Sequence, residues 1–125
     1  MERKGHRKPL YWVGSSKEDL SEFPVEVKRM MGFALHLAQS GAKHADAKPL
    51  RGFKGAGVLE VMEEHNGNAF RAVYTVRFAD SVYVLHAFQT KSKKGIATPR
   101  SEIDLVKERL KRAEQDHAQR SKSRR

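Results

Sequence analysis

Residues 58–88 read VLEVMEEHNGNAFRAVYTVRFADSVYVLHAF, and their alternation decides the fold. Phe70, Ala72, Tyr74, Val76 and Phe78 share one parity; Arg71, Val73, Thr75 and Arg77 share the other. A period of two belongs to a strand, not a helix. Asn66-Gly67 is a strong hairpin signal, because both residue types tolerate the positive φ of a tight reversal. Ala79-Asp80 marks a second tight connection. The stretch predicts an antiparallel meander with strands at Val58–Glu63, Phe70–Phe78 and Val82–Phe88.

Upstream, Lys8–Val13 predicts a short strand ending at Gly14. Ser15 and Ser16 before Glu18 and Asp19 predict a capping box, with a short helix over Asp19–Phe23. Pro24 suits the first turn of the next helix. Val27, Met30, Met31, Ala34 and Ala38 form one stripe over Val25–Gln39, flanked by Leu35 and Leu37, and Gly41 follows as a C-cap. Residues 42–57 are a polar, glycine-rich loop. Downstream, Thr98 caps a last helix with Pro99 in its first turn and Ile103, Val106 and Leu110 as its apolar stripe.

The sum is an α+β domain: a three-stranded meander plus an N-terminal strand, two N-terminal helices and a C-terminal helix. The helices are expected on one sheet face, with the other face free and Arg71 pointing toward it. On that reading, truncating Arg71 leaves the fold intact. Residues 1–118 form the single domain. Residues 119–125, QRSKSRR, carry four cations and no acid and are expected to be a disordered tail.

Lys and Arg number 25 against 15 Asp and Glu, a formal net charge of +10. Such an excess favours polyanionic partners: nucleic acid, anionic lipid or an acidic protein. There is no cysteine, hence no disulfide and no thiolate chemistry. Apolar runs are too short to span a membrane, and the basic N-terminus lacks the apolar segment of a signal peptide. A cytoplasmic protein is expected.

Arg71 and Arg77 interrupt apolar strand positions. They either grip phosphate from a rigid strand or belong to a solvated sheet face. Lys91, Lys93 and Lys94 follow the last strand, as an RNA-collecting edge or as a solvated loop. His86 shares parity with Val82, Val84 and Phe88, and a lone histidine there is more often a hydrogen-bonded core residue than a catalyst. Glu60, beside the Arg71 strand, is a general base or one half of a cross-strand ion pair. The six histidines show no metal-ligand spacing. GFKGAG, residues 52–57, lacks the strand-to-helix context of a nucleotide loop. No cofactor is expected.

Four segments together resemble a known family. KPLRGFKGAGVLEV (48–61), FRAVYTVRF (70–78) and VYVLHAFQTKSKKGIATPRSEIDLVKERLKR (82–112), with FALHLAQSGAKHADAKPL (33–50) upstream, are similar to the phage Gp49-like branch of the RelE/HigB superfamily of toxin–antitoxin toxins. The resemblance spans Leu10 to Arg112. It implies a microbial-RNase-like domain and a metal-independent mRNA endoribonuclease, usually acting on the ribosome. It also implies an antitoxin encoded beside it, often with a helix-turn-helix domain.

Arg71 matches the family arginine at the scissile phosphate, and Lys91 lies near the basic residue ending the last strand. Arg51, Arg77, Lys93 and Lys94 are then the RNA-binding cations, and Glu60 and His86 the candidates for proton transfer. Thr90 replaces the first lysine of the branch's FQKKS. The strand that carries lysines in RelE carries Glu60 and Met62 here, and RelE's late tyrosine has no counterpart. Two alternatives remain: a ParE-like gyrase inhibitor on the same fold, and a non-catalytic basic adaptor.

Overall fold

The computed structural model describes residues 7–91 and 97–123. The chain runs β1 (Leu10–Trp12), α1 (Ser16–Ser21), α2 (Val25–Gln39), β2 (Lys48–Pro49), β3 (Val58–His65), β4 (Asn68–Thr75), β5 (Val82–Lys91) and α3 (Arg100–Ser123). One five-stranded sheet has the order β1-β5-β4-β3-β2. β1 runs parallel to β5, and the other pairings are antiparallel.

The meander is present as read, anchored by its first turn. Asn66 and Gly67 both take positive φ, 48° and 80°, as a two-residue hairpin requires. β4 ends earlier than its alternation predicts, at Thr75. There the Thr75 hydroxyl donates to the Ala56 and Gly57 carbonyls at 3.1 Å each, and the Val76 amide bonds Gly57 rather than continuing the ladder. β2, absent from the sequence reading, pairs Lys48 with Glu60 and Pro49 with Leu59.

α1 begins at Ser16 rather than Asp19, because the Ser15 carbonyl already accepts the Asp19 amide. The expected capping box does not form; the Ser15 hydroxyl donates to the Asp19 carboxylate at 2.7 Å. α2 matches its predicted bounds, with Pro24 as N-cap rather than in the first turn. It closes in a Schellman turn at Gly41 (φ 84°), where the Gly41 amide bonds Ala38 and the Ala42 amide bonds Leu37.

Both faces of the sheet are covered, which corrects the expectation of one free face. Val27, Met31, Ala34 and Ala38 of α2 pack with Val61, Phe70, Ala72 and Tyr74 on one side. On the other, Val106 and Ala113 of α3 pack with Val73, Tyr83, Leu85 and Phe88, joined by Leu50 and Phe53. The physical reason is that β4 is buried on both parities: Val73 and Thr75 are as inaccessible as Ala72 and Tyr74. Residues 119–123, expected to be disordered, are instead the end of α3. Arg120 there pairs with Asp116 one turn back, and its guanidinium lies 3.8 Å over the Tyr11 ring.

Tyr74 is fully buried, and its hydroxyl has no hydrogen-bond partner among the described residues. Burial pushes its pKa up to about 12. A raised folded-state pKa gives stability that is complete below the unfolded value near 10 and is lost as pH climbs through 12. Tyr74→Phe is expected to be at least as stable as the parent at neutral pH. It should also lose less stability between pH 10 and 12, read from urea midpoints.

Candidate functional site

A single irregularity organises the α3-facing side of the sheet. Val73 pairs with His86, but the next residue, Tyr74, pairs with Val84, so Leu85 is an extra residue in β5. This bulge reverses parity along the strand. Val82 and Val84 face α2, while His86 and Phe88 face α3, where regular alternation would have kept all four together. The sequence reading of His86 on the parity of Val82 and Val84 is corrected by it. His86, Val73 and Glu60 thus fill one cross-strand row on the α3 side; Phe88, Arg71 and Met62 fill the adjacent row.

Arg109 holds the bulge. Its Nη1 donates to the Leu85 carbonyl at 3.0 Å, and its Nη2 donates to the Ser15 hydroxyl at 3.2 Å. The guanidinium lies so close to Gly14 (φ 58°) that a Cβ there would meet it at 2.9 Å. Burial lowers the Arg109 pKa from its ordinary value. The residue is only 8 % exposed, yet five fixed donors make it suited to bind carbonyl and hydroxyl oxygens together.

His86 is 6 % exposed and stacks on Phe88 with ring centroids 4.6 Å apart. Its Nε2 lies 2.6 Å from Glu102 Oε1, and its Nδ1 lies 3.5 Å from Arg109 Nη1. Arginine only donates, so a proton on Nε2 and a lone pair on Nδ1 satisfy both contacts.

Arg71 is 4 % exposed. Its Nη1 donates to Glu60 Oε1 at 3.2 Å and to Thr98 Oγ1 at 3.1 Å. Thr98, expected to cap α3, donates to Glu60 Oε2 at 2.7 Å instead. The arginine therefore lies under the start of α3 as half of a buried ion pair, not on a free face.

The structure brings Arg71, Glu60 and His86 together and disperses the other sequence-predicted residues. Lys91 is exposed at the end of β5 on the parity of Gln89 and Ala87, opposite to Arg71. The α3-side position is taken by Thr90, which pairs across from Ala69. Arg77 lies beyond β4, paired with Glu114 of α3. Arg51 is exposed in the loop after β2. Lys93 and Lys94 lie outside the described residues.

Sequence reasoning missed Glu102, Arg109 and the role of Thr98. The signal was present: positions 102 and 109 share the helical face of Val106 and Ala113, so charged residues there interrupt an apolar stripe. Among the described residues, no three His, Asp or Glu side chains gather as a metal site would require. No helix there is long and apolar enough to cross a membrane.

Residues 18–111 match the family described as Phage derived protein Gp49-like. That is well over half of the chain, and the chain belongs to this family. Its architecture is the RelE fold. The E. coli toxin RelE, solved as an arginine-to-alanine mutant in the free state, superposes with a TM-score of 0.53 at 16% identity, covering 85% of this chain and 97% of that one. A chain of the toxin–antitoxin complex RelBE2 from Mycobacterium tuberculosis gives a TM-score of 0.43 at 17% identity, over 73% and 100% of the two chains. No curated protein sequence matches.

Two stability effects are expected, read as urea midpoints. Arg109→Met strands the Leu85 carbonyl and should destabilise by about 2–4 kcal/mol. Arg71→Ala leaves Glu60 with an uncompensated charge and should destabilise by roughly 3 kcal/mol, against the sequence expectation of an intact fold.

Proposed function

We propose that this chain is the toxin of a type II toxin–antitoxin system, a metal-independent endoribonuclease that cleaves mRNA on the ribosome. The observation that carries the reading is the cluster itself: a strand-borne guanidinium at Arg71, flanked by a carboxylate at Glu60 and an imidazole at His86. Family membership and the RelE fold support it. Glu60 and His86 sit on either side of Val73 in one row, roughly 10 Å apart between Cβ atoms as two inter-strand steps. Such a spacing brackets a phosphodiester.

In this mechanism the Glu60 carboxylate takes the proton of the ribose 2′-hydroxyl as its oxygen attacks phosphorus. His86, acting as the imidazolium, gives its Nε2 proton to the departing 5′-oxygen and is left neutral. The products are a 2′,3′-cyclic phosphate and a 5′-hydroxyl. Arg71 neutralises the charge that develops on the non-bridging oxygens. Glu102 holds the position an RNA phosphate would take beside His86, so the substrate displaces this carboxylate as α3's first turn gives way, while Glu60 stays on β3 as the base. Lys91, Lys93, Lys94, Arg51 and Arg77 supply non-specific attraction to the RNA backbone.

The partner in this reading is a cognate antitoxin, of helix-turn-helix type, drawn to a +10 chain through its own acidic residues. The burial of Arg71 and His86 favours a second reading, a non-catalytic basic adaptor.

Induced expression of the chain is expected to arrest growth, with breaks in translated mRNA mapped by primer extension. His86→Gln and Glu60→Gln, each confirmed folded, should reduce cleavage on the order of a hundredfold. Growth arrest without RNA breaks, or cleavage unchanged in both variants, would favour the adaptor.

A further inference from the structure

We propose that the groove between β1 and the C-terminal half of α3 is a second RNA subsite. It would take a base of a single strand against Arg120 and the adjoining phosphate on Arg112. The inference rests on RNA being the ligand and adds a contact region separate from Arg71: β1 is the edge strand, two places from β4 in the sheet.

The groove has a volume of about 530 Å³, with Tyr11 and Tyr83 on its sheet side and Arg112, Gln115 and Arg120 on its helix side. That volume is ample for one nucleotide-sized group. Two further cavities, of about 540 and 300 Å³, share Tyr11 with it, and the first brings in Lys8. The three form a track rather than an isolated hole, which suits a polymer.

Its chemistry is that of single-strand binding: an aromatic stack beside cations. The Arg120 guanidinium lies 3.8 Å over the Tyr11 ring and stays 43% exposed, so a planar cation backed by an aromatic ring faces the groove. Asp116, the carboxylate there, is already engaged by the Tyr83 hydroxyl at 2.6 Å and Arg120 Nε at 2.7 Å. Arg112 and Gln115 make no side-chain hydrogen bond among the described residues and are exposed. They are available to a phosphate and to a base edge.

Trp12, the chain's single tryptophan, packs on the α2 side of the sheet, so binding is read from the anisotropy of an end-labelled probe. The probe is a short, mixed-sequence, 2′-O-methylated oligoribonucleotide, which binds without being cleaved. A saturable rise in probe anisotropy is expected. Arg120→Ala should weaken binding about tenfold by removing the stack, and Arg112→Ala should lower the salt slope by roughly 0.7. Both side chains are exposed, so the variants keep the fold.

Binding with affinity and slope unchanged in both variants overturns the subsite. So does a failure of the probe to bind, as for a groove that takes an acidic peptide. Cleavage of unmodified mRNA is scored separately. Cleavage together with probe binding that neither variant changes removes the subsite and leaves the ribonuclease reading; binding weakened by the variants without cleavage does the reverse.

Discussion

The hydrogen bond from Arg109 to the Leu85 carbonyl sets the organisation of this protein. A bulge places one more residue in β5 than β4 can pair, and a bulged backbone needs its polar groups satisfied from elsewhere. Arg109 does so from α3, while Val84, the residue before, gives its carbonyl to the Val13 amide and the Ser16 hydroxyl. The same guanidinium reaches Ser15 and presses on Gly14. One side chain thus joins the C-terminal helix, β5 and the β1–α1 turn, and the bulge it holds places His86 in the row of Glu60.

Charge is arranged in two tiers. The interior gives Arg71 an ion pair with Glu60 and the His86 ring a hydrogen bond to Glu102, because an isolated buried charge is too unfavourable to persist. The net charge of +10 therefore resides mainly on solvated cations, where it attracts polyanions over a Debye length without disturbing the fold. On the proposed function, the outer tier gathers RNA and the inner tier performs the chemistry once α3's first turn yields.

Much of this was legible in the sequence because it is periodic or locally encoded. The α2 stripe, the Asn66-Gly67 reversal and the alternation of β4 each follow from neighbours a few residues apart. Arg71, Glu60 and His86 could be singled out as polar groups in apolar strands. Their surroundings could not. The bulge depends on Arg109, which lies 24 residues after Leu85, and no local pattern around Leu85 announces it. The covered second face was missed because Arg71, with Arg77, suggested solvent on that parity, whereas Glu60 and Thr98 make Arg71 tolerable inside. The end of α3 was misjudged on composition: a basic run reads as disordered until Asp116 and the Tyr11 ring are seen to receive Arg120.

The central claim is that His86 lies on the α3 side of the sheet because of the bulge, and nuclear Overhauser contacts from its ring protons test it most directly. The account predicts contacts from the His86 ring to the Phe88 ring and the Glu102 side chain. Contacts to Met31 or Ala34 of α2 instead would mean that β5 alternates without a bulge, and would contradict it.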